Sequence, residues 1–371
     1  MRKASAELNF DVAIENVGAL CGQELKELPY WETINQYLER VDPKDLQDIV
    51  NKIVWKLLRS RAFEQARIKG EYWQIIIDGT RLYTSFDPLD GNYLFKVHSK
   101  GTDNEYTEYY YYVLEAKIVL HDEICVSIMT EFVENTDEEA NKQDCELKAC
   151  WRLMERLKKA FPRLPICISA DSLYACEPFF RACEEKKWVF LLRYKEGSIP
   201  SVYQEYTSLQ SLQGNRQVKK TAQGIVWHDY VTGIDYKGFM VNLIEYGEST
   251  RAYPFYFLTN LPASKKNVES LSYWGRRRWA IENRGFNAQK NHGFNLEHLY
   301  SKNYNAMKCH YFLIQIGHMI AQIMDAWKSL WKGVRLSLEQ KHRRILDSWV
   351  RHPIREVMVQ DVQKYQIRFD E

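Results

Sequence analysis

Two short apolar runs, each stopped by an aspartate, constrain this chain more than any other feature. Tyr72-Trp73-Gln74-Ile75-Ile76-Ile77 runs into Asp78-Gly79-Thr80, and Ile166-Cys167-Ile168-Ser169-Ala170 runs into Asp171. Runs this short and this apolar read as strands buried on both faces, each ending in a polar turn. Such strands need helices on both sides of their sheet. The intervening sequence fits. Tyr109 to Leu120 and Ile124 to Val133 read as an antiparallel hairpin around His121-Asp122-Glu123. Residues 137–160 and 175–186 read as helices, and Trp188 to Arg193 as a further strand. The fold class is α/β.

A carboxylate placed as the first polar residue after a buried strand is rigidly held yet reachable from outside. If the two strands are neighbours, Asp78 and Asp171 converge. Close carboxylates repel unless a cation sits between them, and hard oxygen ligands select Mg²⁺ or Mn²⁺. Taken alone, each aspartate reads more simply as the cap of the turn that follows it.

The remaining sequence surrounds this pattern. Residues 1–70 read as helical: Asp42-Pro43 is a start signal, Leu46, Ile49, Val50, Ile53, Val54, Leu57 and Leu58 follow helical spacing, and Lys69-Gly70 is a stop. Residues 199–262 read as β-rich and irregular, with strands at Val226 to Val231, Gly238 to Ile244 and Phe255 to Thr259. Helix returns near 265 and runs, with interruptions, to about 331. The most apolar late segment, Tyr311 to Trp331, is broken by Gln315, His318, Gln322 and Asp325, and reads as a buried helix rather than a membrane span. From Gly333 short helical and extended pieces are expected. The expected units are a helical region at 1–70 (a DNA-binding remnant), a core at 71–198, a β-rich insertion at 199–262, a second core part at 263–331, and a tail at 332–371.

Charge is segregated rather than global. The chain carries 51 basic and 49 acidic residues, which excludes a histone-like polycation. Yet residues 131–146 hold seven acids against Lys142, and residues 263–310 hold nine Lys or Arg against three Glu. A basic region on a near-neutral chain suits a phosphate backbone, although a solvated helical face shows the same pattern. The eight cysteines include no C-x-x-C pair, so buried free thiols in a reducing compartment are expected. The N-terminus leads into polar sequence without the apolar stretch of a secretory signal, and a cytoplasmic location is expected.

The basic region contains Trp274-Gly275-Arg276-Arg277-Arg278-Trp279-Ala280-Ile281-Glu282-Asn283-Arg284-Gly285-Phe286-Asn287-Ala288-Gln289-Lys290. On a helix, Arg278 and Glu282 are i,i+4 neighbours. One glutamate among five basic residues suits a metal-ligating acid whose neighbours grip phosphates, and it also suits a surface salt bridge. The order Asp78-Gly79-Thr80, then strand-terminal Asp171, then Arg278-Trp279-Ala280-Ile281-Glu282-Asn283 resembles the DDE insertion-sequence transposases, most closely those with a β insertion in an RNase H-like core. Lys290-Asn291-His292-Gly293 extends the likeness. The family's Tyr-Arg-Glu-Lys signature is matched at Arg278 and Glu282. Its Tyr and Lys positions fall on Gly275 and Gln289, with Tyr273 and Lys290 close by.

The resemblance implies an RNase H-like mixed sheet flanked by helices, with Asp78, Asp171 and Glu282 as catalytic and metal-ligating triad. It implies two Mg²⁺ or Mn²⁺ ions per site, with Asp78 bridging them. Water would first free a 3′-hydroxyl at an element end, and that hydroxyl would then attack target DNA. DNA contacts are expected from Arg276, Arg277, Arg278, Arg284, Lys290, Tyr273 and Lys195, in a homodimer on DNA associated with a bacterial or archaeal nucleoid and with no membrane partner. Two other readings stay open: a transposase-derived DNA-binding protein without catalysis, and an RNase H-like nuclease without strand transfer. His292, Glu297 and His298 match no common zinc spacing and read as packing. Cys176 and Cys183 read as buried on one helix, and Lys219 and Lys220 read equally as DNA contacts or as packing residues.

Overall fold

The computed structural model describes residues 8–135, 144–327, 331 and 333–355. Residues 73–77 of the first apolar run lie in the interior of the sheet, as part of strand β1 (Trp73–Ser85). On one side β1 pairs antiparallel with β3 (Tyr106–His121). On the other it pairs parallel with β5 (Ile166–Ser169), which pairs parallel with β6 (Val189–Tyr194). The outer edge of β3 is shared by β4 (Ile124–Val133) and, further along, β2 (Leu94–His98). The order β4-β3-β1-β5-β6 is the mixed sheet of an RNase H-like core.

The Asp78-Gly79-Thr80 segment is not the turn that the sequence suggests. The parallel ladder with β5 ends at Ile76 opposite Ser169, whereas the antiparallel ladder with β3 continues from Asp78 opposite Glu115 to Ser85 opposite Tyr109. Polarity begins where one neighbour stops, and the strand itself runs on.

Among the described residues three α-helices precede the sheet: α1 (Asp11–Cys21), α2 (Trp31–Leu38) and α3 (Pro43–Arg59). Asp42 caps α3 as expected, accepting from the Lys44 N–H with Pro43 in the first turn. Leu46, Val50, Val54, Leu57 and Leu58 join the main core. Gln47 reaches the free edge of β4, donating to Ile128 O and accepting from Thr130 N, which closes that edge to further strands. The helix stops at Arg59, short of Lys69-Gly70. Those two residues instead turn the chain back in left-handed conformation (φ 56 and 71), joining Ile68 to Tyr72.

Helix α4 (Glu146–Ala160) follows β4, and α5 (Glu177–Lys186) lies between β5 and β6. The helix expected from 137 begins only at Glu146, after an extended Cys145 (φ −145, ψ 163); 136–143 lie outside the described residues. The insertion is β-rich, but it opens with a helix, α6 (Pro200–Gln213), that the sequence reading did not include. Pro200 in its first turn and left-handed Gly214 at its end were the missed signals. Strands β7 (Gln217–Thr221), β8 (Gly224–Tyr236), β9 (Phe239–Glu248) and β10 (Phe255–Thr259) follow. Because β10 pairs with β6, the insertion extends the core sheet to ten strands.

The chain then returns as α7 (Val268–Arg276), a 3₁₀ turn (Arg277–Trp279), a π-helical turn (Ile281–Phe286), α8 (Asn287–Asn291) and α9 (Tyr304–Ala326). Helix α9 packs on β4 and α3. The tail is more regular than expected. It forms α10 (Leu338–Arg351), opened by a capping box of Ser337 and Gln340. Asn16 of α1 donates to Trp349 O and His352 O at 2.7 and 3.0 Å, fixing that helix to the N-terminal region. Residues 356–371 lie outside the described part. No described helix is long and apolar enough to cross a membrane. The cysteines are all free, but Cys21 and Cys145 are exposed rather than buried.

Candidate active site

Asp78 is largely buried within β1. Its Oδ1 accepts from the Gly79 N–H at 3.0 Å and its Oδ2 lies 3.4 Å from Nη1 of Arg278. Burial pushes its carboxyl up to about 6; the Arg278 charge and the Gly79 N–H oppose this, while Glu282 and Glu146 add to it.

Asp171 lies just beyond β5 and caps the 3₁₀ turn Ser172–Tyr174, accepting from Leu173 N at 2.8 Å. The capping reading of this residue is therefore correct, and it leaves the second carboxylate oxygen free of the turn. Ile76 and Ser169 are in register, and each aspartate follows two residues later. Side chains two apart in a strand share a face. Gln74 and Ser169, hydrogen-bonded at 2.9 Å, mark that face, and Gln74 also donates to Trp274 O of α7.

Glu282 comes to the same side on the π-helical turn. The sequence suggests an ordinary helix here; the structure changes from α to 3₁₀ to π. Two contacts lie against the widened turn. A Cβ on Gly285 would lie 3.0 Å from Cε of Lys117, so the turn lies directly on that buried side chain. Gln322 of α9 donates to Arg284 O at 3.0 Å, the kind of side-chain insertion that accompanies a change in helix type. Arg278 and Glu282 still meet, with Nη2 to Oε1 at 3.1 Å. One buried guanidinium thus joins the strand acid to the helix acid. Among the described residues, no three His, Cys, Asp or Glu side chains are close enough together to hold a metal ion. Asp78 and Glu282 are brought together through Arg278, and Asp171 does not complete a three-acid cluster.

A family model described as the Transposase DDE domain matches residues 69–320, well over half of the chain and inclusive of all three acids. The chain belongs to the DDE transposases. No curated relative matches it.

Most of the basic side chains expected to grip DNA in this transposase are engaged within the protein. Arg276 donates to the Tyr246 hydroxyl at 2.7 Å and pairs with Glu248 at 3.5 Å. Arg277 lies 3.4 Å from Asp122 in the β3–β4 turn, and Tyr273 donates to the same carboxylate at 2.7 Å. Lys290 pairs with Glu297 at 2.6 Å, and Lys219 with Glu269. Arg284 and Lys195 are exposed, with no side-chain partner among the described residues. Glu297 is held by Lys290, and His298 packs on Tyr300. Cys183 is buried, while Cys176 is only half-buried.

Five residues that the sequence reading passed over surround the acids. Tyr112, Glu146 and Tyr174 form one hydrogen-bonded group, and Glu115 and Lys117 form a buried pair beneath the π turn. Glu146 was visible only as the last member of an acidic run, and Tyr112 as one tyrosine among four consecutive ones.

Proposed function

We propose that this DDE transposase cleaves and joins DNA at Asp78, Asp171 and Glu282, using two Mg²⁺ or Mn²⁺ ions. The observation that carries this reading is the Arg278 guanidinium lodged between Asp78 and Glu282, at 3.4 and 3.1 Å. A cation already bridges two hard oxygen donors, so the donor set fits a divalent ion. When bound, the ions would supply charge stabilisation to the attacking and leaving oxygens of an in-line displacement.

The protein's own groups do the rest. Asp78, raised to about 6, is mainly ionised above neutral pH and available as a ligand. Arg278 neutralises the acids while they lack another partner, and its planar fork matches a phosphate. Exposed Arg284 and Lys195 offer charge to the DNA backbone without first breaking an ion pair. Water cuts the strand and frees a 3′-hydroxyl, which then attacks target DNA. Joining two element ends calls for two copies of the chain on the DNA.

Glu282→Gln tests the assignment on a supercoiled plasmid in Mg²⁺. Nicking should be lost while DNA affinity stays near wild type, because the change removes a ligand and no phosphate contact. Full nicking by this variant would make Glu282 structural. With precut element ends, wild-type protein should give joined product. Nicking without joining would identify a nuclease, and binding without either a non-catalytic relic.

A further inference from the structure

A bridge of three side chains spans the two segments that carry the aspartates. Glu146 opens α4, and each of its carboxylate oxygens accepts a tyrosine hydroxyl. Tyr112 donates to Oε2 at 2.8 Å and Tyr174 to Oε1 at 2.7 Å. Tyr112 stands on β3 and its ring passes over β1 at Gly79, where a Cβ would lie 2.1 Å from the tyrosine oxygen. Gly79 directly follows Asp78. Tyr174 ends the 3₁₀ turn that Asp171 caps. A single carboxylate is therefore tied, through one tyrosine each, to the backbone next to Asp78 and to the turn next to Asp171.

The pleat decides what this arrangement can do. Gly79 is opposite Leu114 and Asp78 opposite Glu115. Tyr112 thus shares the face of Gly79, and Asp78 points to the other face. Glu146 approaches from behind the strand, where it adds to the field on Asp78 without sharing its face. Burial and the neighbouring glutamate raise the pKa of both tyrosines, so both hydroxyls remain donors. Tyr174 is almost wholly enclosed, at 1% exposure, which fixes that arm of the bridge.

We infer that Tyr112, Glu146 and Tyr174 are positioning residues that set the spacing between Asp78 and Asp171. The inference rests on the metal-binding reading above. A carboxylate is suited to the task because it offers two acceptor oxygens, whereas the glutamine amide offers one acceptor and one donor group, so that one tyrosine would have to turn its hydroxyl round and accept, which weakens that arm. Groups behind the ligands commonly change metal affinity by about 10- to 100-fold.

The test uses the full chain with Mn²⁺ alone, followed by electron paramagnetic resonance, beside metal-free amide exchange over 77–80 and 170–175. Glu146→Gln should weaken Mn²⁺ binding about tenfold and speed exchange in both segments together. Tyr112→Phe and Tyr174→Phe should each do less. Combining them should weaken binding no further than Glu146→Gln does, because all act through one carboxylate. Unchanged exchange in Glu146→Gln would overturn the bridge. So would wild-type Mn²⁺ affinity in both Phe variants alongside loss in Glu146→Gln, which would make Glu146 itself a ligand. Asp78→Asn separates the two claims: if neither it nor wild type binds Mn²⁺, the metal reading fails, and the exchange measurement still decides on the bridge.

Discussion

Asp78 and Glu115 are directly opposite each other on neighbouring strands and share one face of the sheet, yet they live in different chemistry. Glu115 is completely buried. It accepts hydroxyls from Ser127, from Thr130 at 2.7 Å and from Tyr311 at 2.6 Å, and it lies 3.9 Å from the equally buried Lys117. Lys117 in turn donates to Gln315 at 2.7 Å. Asp78 has one backbone N–H and one arginine contact, and it keeps some exposure. The first carboxylate is saturated by its own protein. The second makes fewer bonds and stays partly exposed, as the proposed metal-binding role requires.

The contrast breaks first at Glu115. Glu115→Met keeps the volume but strands Lys117 without its counter-charge, and breaking a buried pair costs about 3–5 kcal/mol. Chemical denaturation should show that loss. The double change Glu115→Met with Lys117→Met should recover part of it, since removing both charges avoids the uncompensated one. A wild-type midpoint in the single variant would mean that the pair is dispensable and the saturated half of the comparison is wrong.

At Asp78 the sign reverses. Its folded pKa, about 6, lies above the ordinary aspartate value of 3.8, so ionisation works against folding. Between those two values the folded state binds more protons than the unfolded one, and stability falls as pH rises through the window. Above it the penalty is fully present. Asp78→Asn should therefore stabilise the protein at pH 7.5 by up to about 3 kcal/mol, at about 1.4 kcal/mol per pK unit, while abolishing nicking. The gain should vanish by pH 3.5, where wild-type Asp78 is itself neutral. A destabilised Asn variant at pH 7.5 would show that Arg278 needs the carboxylate more than burial opposes it.

The same pair of residues explains what the sequence could and could not tell. Asp78 and Asp171 stood out because burial on both faces makes a strand uniformly apolar, and the first acid then marks where a neighbour ends. Glu282 stood out because it is isolated among arginines. Glu115 did not, since its surroundings in sequence, Tyr112-Val113-Leu114-Glu115-Ala116-Lys117, give no hint that Tyr311 will meet it, and Gln315 its neighbour Lys117, from nearly two hundred residues away. Glu146 was hidden for the same reason: its partners arrive from β3 and from the turn after β5. The π turn was also hidden, because the Lys117 and Gln322 side chains that lie against it come from β3 and α9, distant in sequence. The missed helix α6 differs. Its Pro200 and Gly214 were readable, but its weak apolar stripe, with only Val202 and Tyr206 buried, gave periodicity little to find.

Saturation also sorts the basic side chains, and here the smallest effect is expected. Arg276 and Arg277 are held by Tyr246, Glu248 and Asp122, whereas Arg284 and Lys195 have no side-chain partner among the described residues. To reach a phosphate, Arg276 or Arg277 must first give up an ion pair, which offsets part of what the new contact contributes. Arg284 and Lys195 give up only water. Each lost phosphate contact lowers the slope of log affinity against log salt by about 0.9 on duplex DNA. Arg284→Ala with Lys195→Ala should therefore flatten the slope by nearly 2 at about 0.9 per contact, measured by anisotropy across a salt series. Arg276→Ala with Arg277→Ala should flatten it by less. If the paired arginines moved the slope more than the free side chains, their ion pairs would be holding places for phosphate, in the manner of Arg278, and the DNA would run along α7 and the β3–β4 turn. Equal and negligible changes in slope from both pairs would take the DNA path off this face altogether.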